Sequence, residues 1–312
     1  MVSGRRIKQQ RKKDGGTQAK RHHVVPQAYL KAWADERNQV RVFDGRTGRA
    51  FTADTKNAAV RSKLYTMRLP DGTEENSLEA AFAQVESELI GVIRDLRAGQ
   101  WPLATEGRSL IANFIALQIA RAPGVPEATE RMLSEVTEMA GKMQVAMDRM
   151  KDELSPDEYS KQAAAMVGSH GLSSDPSYTL DEFVEMHRYP TLGALAAMAE
   201  LVEPIANLKF TLLESPDGEF LTSDQPIAHW AIPGQPEWMG TGLLTAQKST
   251  MPISPTQCLQ FQIPEGEQHV LDSRRKMTRL EVALVNSQTI RSASRHIVMR
   301  RGRRYFGFNF PD

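Results

Sequence analysis

The spacing of apolar residues changes character from one region of the chain to the next. In "PQAYLKAWA" the apolar residues recur at helical spacing and Pro26 suits a first helical position, which predicts a short helix. "QVRVF" and "RAFTA" alternate instead, and the glycines of the intervening "DGRTG" supply positive φ, so a hairpin is expected.

From about residue 57 to 203 the 3.6-residue period dominates. "NSLEAAFAQVESELIGVIRDLRAG" repeats Leu78, Phe82, Val85, Leu89, Ile93 and Leu96, with Asn76 or Ser77 as cap and Gly99 as stop. "GRSLIANFIALQIARAPG" repeats Leu110, Phe114 and Leu117 before Pro123 ends it. A helix rich in Met and Glu over about 126–152 follows. "SPDEYSKQAAAMVGSHG" and "TLDEFVEMHRYPTLGALAAMAELV" come next, each opened by a Ser or Thr cap.

After about residue 204 short alternating runs return: "NLKFTLLE", "EFLTSD", "AHWAI" and "QCLQFQI", separated by Pro and Gly turns. "RLEVALVNSQTIRSASRHIVMR" reads as a final helix. The expected fold is α+β, mostly a helical bundle with a small, mainly antiparallel C-terminal sheet that the hairpin can join. A disordered basic arm over 1–19 precedes a single α+β domain over 20–312. That domain divides into entry helix and hairpin (20–56), a helical part (57–203), and sheet plus final helix (204–312).

With 40% hydrophobic and 25% charged residues in a chain of 312, the sequence has the apolar content to bury a core, which excludes disorder for most of it. No run approaches the roughly 20 apolar residues of a spanning helix, and the basic N-terminus lacks an apolar segment behind it, so neither membrane insertion nor secretion is expected. Cys258 is the single cysteine and alternates with apolar residues, which predicts a core thiol in a reducing, cytoplasmic compartment.

Charge is segregated. Arg5, Arg6, Lys8, Arg11, Lys12, Lys13 and Lys20 face only Asp14, and Arg291, Arg295, Arg300, Arg301, Arg303 and Arg304 lie in a stretch with no acid, so the middle of the chain is acidic. Basic ends attract polyanions, and nucleic acid is the expected partner of both the N-terminal arm and the Arg-rich C-terminal segment. A solubilising tail is the plainer reading of the arm, which has no interleaved aromatic residues.

Polar residues in apolar positions give the candidate chemistry. Taking Leu110 as origin at about 100° per residue, Phe114 falls near 40°, Leu117 near −20° and Arg121 near 20°, with Gln118 near 80°. Arg121 therefore points with the core and needs a carboxylate. On the preceding helix Glu79 and Glu86 flank the apolar stripe, and Glu86 is the preferred partner. Asp224, in "LTSDQPIAHW", ends a strand that Pro226 stops; it suits either a site position or a cap on its own turn. His23, in "KRHHVVPQAYL", stands at the entry to the fold, as a hydrogen-bonded core residue or as a base. The remaining histidines, His170, His187, His229, His269 and His296, show no ligand spacing. G-x-S-x-G, G-x-x-x-x-G-K-[ST] and G-x-G-x-x-G are absent, which disfavours serine hydrolases, P-loop NTPases and dinucleotide enzymes.

The segments "HHVVPQAYLKAWA", "LEAAFAQVESEL", "FIALQIARAP", "FLTSDQPI", "MPISPTQCLQF" and "VNSQTIRSASRHIV" together resemble the largely bacterial domain-of-unknown-function family numbered 4238, over about residues 20–300. The family pattern has an aromatic where Val24 stands and Asn where Gln225 stands. The resemblance implies that His23, Gln27, Glu86, Gln118, Arg121 and Asp224 are recurring polar positions; it implies no reaction.

Two functions follow from these residues. In the first, a phosphodiester or nucleotide hydrolase, His23 is the acid or base, Asp224 and Glu86 hold a divalent metal or a water, and Arg121 stabilises phosphoryl charge, with Gln27 and Gln118 toward substrate. In the second, a non-enzymatic module, the basic ends hold nucleic acid and the polar cluster is structural.

Overall fold

The computed structural model of the protein describes residues 21–62, 67–68, 74–75, 86, 89–122, 124, 134, 138, 141–142, 145–146, 148–169, 199–216, 219–236, 240–243, 245–264 and 272–311. The expected basic arm over 1–19, most of the helix expected from residue 76, most of that over 126–152 and most of that ending near 201 lie outside these residues, as do His170, His187 and His269. The chain forms two compact units, Met1–Pro123 with Met198–Asp312, and Gly124–Ala197.

Strand content in the first unit overturns the mostly helical expectation. Short strands β1 (Arg21–His23) and β4 (Val60–Ser62) pair antiparallel, His23 opposite Val60. Strands β5 (Met67–Arg68) and β6 (Glu74–Glu75) form a further short pair. β2 (Gln39–Asp44) and β3 (Arg49–Asp54) are the expected hairpin, turning through Gly48 at φ 68°. They join strands from the C-terminal part of the chain, as expected, but in a sheet of their own. With β13 (His296–Met299) and β8 (Thr222–Ser223) they make an antiparallel sheet of order β3-β2-β13-β8.

A second sheet has the order β12-β7-β11-β10-β9, with β7 Lys209–Glu214, β9 Ala228–Trp230, β10 Lys248–Ser254, β11 Gln257–Gln262 and β12 Ser273–Lys276. All its pairs are antiparallel except β12 with β7. β10 carries Pro252 past Thr250, the last residue paired with β9, and at a register irregularity with β11, where the ladder is already interrupted.

The physical reason for the correction is local. The run expected as the final helix extends through "HIVM". The helix α4 (Arg279–Ser292) instead stops at Ser292, and β-branched Ile297 and Val298 pair with Phe43 and Val42 of β2. At its other end α4 is fixed by a capping box, in which the Thr278 hydroxyl accepts the Glu281 amide and the Glu281 carboxylate accepts the Thr278 amide.

Helix α1 (Gln27–Leu30) is short and runs into a 3₁₀ turn over Lys31–Trp33; Pro26 stands at its N-cap rather than inside it. Helix α2 (Thr105–Ala120) buries nearly every residue of its second half, from Ile111 to Ala120. Tyr29 lies between α2 and β8: its ring stacks on Phe114 at 5.9 Å and its hydroxyl bonds Thr222 and the Pro252 carbonyl. Trp33 donates to the Phe220 carbonyl at 2.8 Å, so both buried aromatics satisfy their polar ends.

Helix α4 serves both sheets. Val282 and Val285 pack with Leu213, Phe220 and Cys258, while Ile290 packs with Leu221, Ile297, Met299 and Tyr305. Between these clusters the buried Asn286 accepts the Leu221 amide and donates to the Glu219 carbonyl, pinning the helix to the strand segment it crosses. Cys258 is the core thiol the sequence predicts, and burial pushes its pKa up. In the second unit, helix α3 (Pro156–Ser169) opens on Ser155, whose hydroxyl donates to Glu158 at 2.5 Å. Among the described residues no helix is long and apolar enough to cross a membrane.

Candidate functional site

Arg121 stands at the C-terminal end of α2 and is 2% exposed, as its place on the apolar stripe predicts. Its Nη1 donates to Glu86 Oε1 in an ion pair whose acidic side chain is 19% exposed. One turn back, Gln118 is buried and neither polar atom of its amide has a hydrogen-bond partner. That is a cost the fold carries without visible return.

The other predicted residues take different partners. Asp224 is buried just after β8, and its Oδ1 accepts the amides of Ser294 at 2.9 Å and Arg295 at 3.2 Å. Its own amide donates to the His296 carbonyl. The carboxylate thus caps the turn between α4 and β13, and the local turn after β8 is made by Ser223, whose hydroxyl accepts the Gln225 amide. His23 Nε2 lies 3.1 Å from the Lys56 carbonyl, and Gln27 donates to the Thr55 hydroxyl. Among the described residues no group of three or more His, Cys, Asp or Glu could hold a metal ion.

Around Asp224 the fold builds a charged network that sequence reading missed. Arg295 donates from Nε and Nη2 to Asp44 Oδ2, at 3.1 and 2.6 Å, while Asp44 Oδ1 accepts the Arg46 and Thr47 amides of the hairpin turn. The Arg295 guanidinium therefore holds the Asp44 carboxyl far below the usual carboxylate range. Arg61 of β4 donates to the Ser294 hydroxyl at 2.6 Å. Burial lowers the pKa of the half-buried His296 imidazole, against the opposing pull of Asp224. Asp44 and Asp224 each accept backbone amides of a turn, so the network clamps both the hairpin turn and the turn between α4 and β13. His229, in β9, pairs with Ser249 at 2.8 Å; Ser249 is buried and the imidazole half-buried.

The exposed chemistry lies elsewhere, in "RRGRRYFGFNF" after β13. Gly302 and Gly307 take φ of 68° and 81°, a backbone open to glycine and strained for other residues. Gly307 completes a turn in which the Phe308 amide donates to the Tyr305 carbonyl. Tyr305 points inward, packs with Leu221 and Ile297, and accepts the Arg300 amide at 2.9 Å. Its burial raises the phenol pKa. With that side chain as anchor, Arg303, Arg304 and Phe306 are left outward.

Two cavities open on this loop and share Arg303, Arg304 and Tyr305. One, of about 450 Å³, also has Arg279 and Asn286 of α4 and Phe306 in its wall. The other, of about 680 Å³, adds Arg41 of β2, Phe308 and Phe310. Arg303 is held by Glu219 at 3.1 Å, whereas no described carboxylate pairs with Arg279, Arg300 or Arg304. The sequence signal that finds this face is an arginine run followed directly by Tyr305, Phe306, Phe308 and Phe310, aromatic company that the N-terminal arm lacks.

The model of the family described as Protein of unknown function (DUF4238) matches residues 21–303. No curated protein and no solved structure matches the chain.

Proposed function

We propose that this chain, which belongs to the DUF4238 family, is a non-enzymatic nucleic-acid-binding protein whose contact surface is the Arg-rich C-terminal segment. The observation that carries the reading is that Arg303 and Arg304 line two adjoining cavities walled by aromatic rings, with the Arg304 charge unneutralised by any described carboxylate. Guanidinium groups so presented suit phosphate oxygens, and neutralising them releases counterions from the polymer.

The hydrolase reading finds less support in the same residues. Glu86 is engaged with Arg121, and Asp224 Oδ1 with two backbone amides. Those contacts account for the polar cluster as structure. A cytoplasmic location suits the reading, since the lone thiol is buried and unpaired.

The test is fluorescence anisotropy of a labelled oligonucleotide titrated with the full chain across a range of NaCl. Binding that weakens steeply and linearly in log salt is the expected result. Binding that is absent, or indifferent to salt, contradicts the reading, and release of nucleotide from the probe would restore the hydrolase.

A further inference from the structure

We infer that the two cavities around Arg303, Arg304 and Tyr305 form a track for an unpaired strand, with bases against the aromatic walls and phosphate on the shared arginines. The inference rests on the nucleic-acid reading and specifies which form of nucleic acid the surface takes.

A duplex keeps its bases stacked inside and offers a protein its phosphates and groove edges. An unpaired strand offers every base as a free π face, and sequence-tolerant binding sites meet it with aromatic side chains set among cations. The loop after β13 has that composition in space as well as in sequence. Phe306 is 61% exposed, in the wall of the same cavity as Arg279, Arg303 and Arg304. What gives Phe306 its interest is its company, a ring set among three arginines at one cavity wall.

The second cavity continues the pattern. Phe308 and Phe310 stack with centroids 6.1 Å apart, and Phe310 also meets Phe43 at 5.4 Å and Tyr305 at 6.4 Å. This wall is fixed by the core below it, so it presents rings without having to order them on binding. Both cavity volumes fall in the size range of small-ligand sites, room enough for a nucleotide. Because the cavities share three residues, adjacent nucleotides of one strand can occupy them with Arg303 and Arg304 at the phosphate between.

The experiment compares labelled oligothymidylate with its duplex to oligoadenylate, by anisotropy at one salt concentration, for the full chain and for Phe306→Ala. The intact chain is expected to favour the single strand by about tenfold or more, and Phe306→Ala to lose about tenfold on the single strand and nothing on the duplex. Arg304→Ala, measured beside them, is expected to weaken both forms. Equal binding of both forms, or a preference that survives Phe306→Ala, overturns the inference; if Arg304→Ala still weakens binding, the broader reading stands. Binding of neither form overturns both.

Discussion

Asp224 Oδ1 accepts the backbone amide of Ser294 at 2.9 Å, across seventy residues of chain. The contact closes the turn between α4 and β13 and so determines where the last strand enters its sheet. Replacing the carboxylate leaves two amides, those of Ser294 and Arg295, without their acceptor. Asp224→Ala is expected to lower stability by about 2 kcal/mol, and Asp224→Asn by less because an oxygen remains. Urea denaturation measures both; an alanine variant as stable as the parent would contradict the structural role.

The ion pair of Arg121 and Glu86 leads to a second expectation. Arg121→Ala strands a carboxylate at a site that is mostly dry, at a cost of about 3 kcal/mol. The double change Arg121→Met with Glu86→Leu removes both charges and is expected to recover most of that loss. A double variant that is as damaged as the single one would mean that the pair does more than satisfy itself.

Gln118 gives a prediction of opposite sign. Its amide is buried without a hydrogen-bond partner, so Gln118→Met keeps the volume and removes the unmet polar group. A gain of about 1 kcal/mol is expected in thermal or urea unfolding. A loss of stability would show that the amide is needed.

These positions also show what was legible in the sequence. The β2–β3 hairpin could be read because alternation and a glycine turn are both local. Arg121 could be read because a charge on an apolar helical stripe stands out at single-residue resolution. Asp224 could be singled out, but its partners could not be named: Ser294 and Arg295 are brought to it by β13, and β13 was hidden inside an apparent helix. The same hidden strand contributes to the error in fold class: with "HIVM" assigned to a helix the strand that pairs with β2 is missing, and β1, β4, β5, β6 and β12 are each four residues or shorter, too brief to show a period. The loop at Arg303–Phe306 was legible in composition alone, since its outward presentation depends on the inward anchoring of Tyr305.

Acid sensitivity follows from His229. Burial depresses its pKa, so the folded state favours the neutral imidazole. A depressed histidine contributes stability that is fully present above its unfolded value, about 6.5, and lost as pH falls toward the folded one. The melting temperature is therefore expected to drop as pH falls below about 6.5, and His229→Gln to flatten that slope. An unchanged slope in the variant would assign the acid response elsewhere, His296 being depressed for the same reason.

The central claim is that the arginines around the C-terminal loop bind nucleic-acid phosphate. Arg279 and Arg304 are exposed and line the same cavity, so their joint replacement by alanine removes charge from the surface without breaking an ion pair to any described residue. The direct measurement is the slope of log affinity against log salt for a single-stranded oligonucleotide, with the intact chain and with Arg279→Ala/Arg304→Ala. Each phosphate contact contributes about 0.7 to that slope, so the account predicts that it becomes shallower by about 1.4. A slope and affinity identical to those of the intact chain would contradict it.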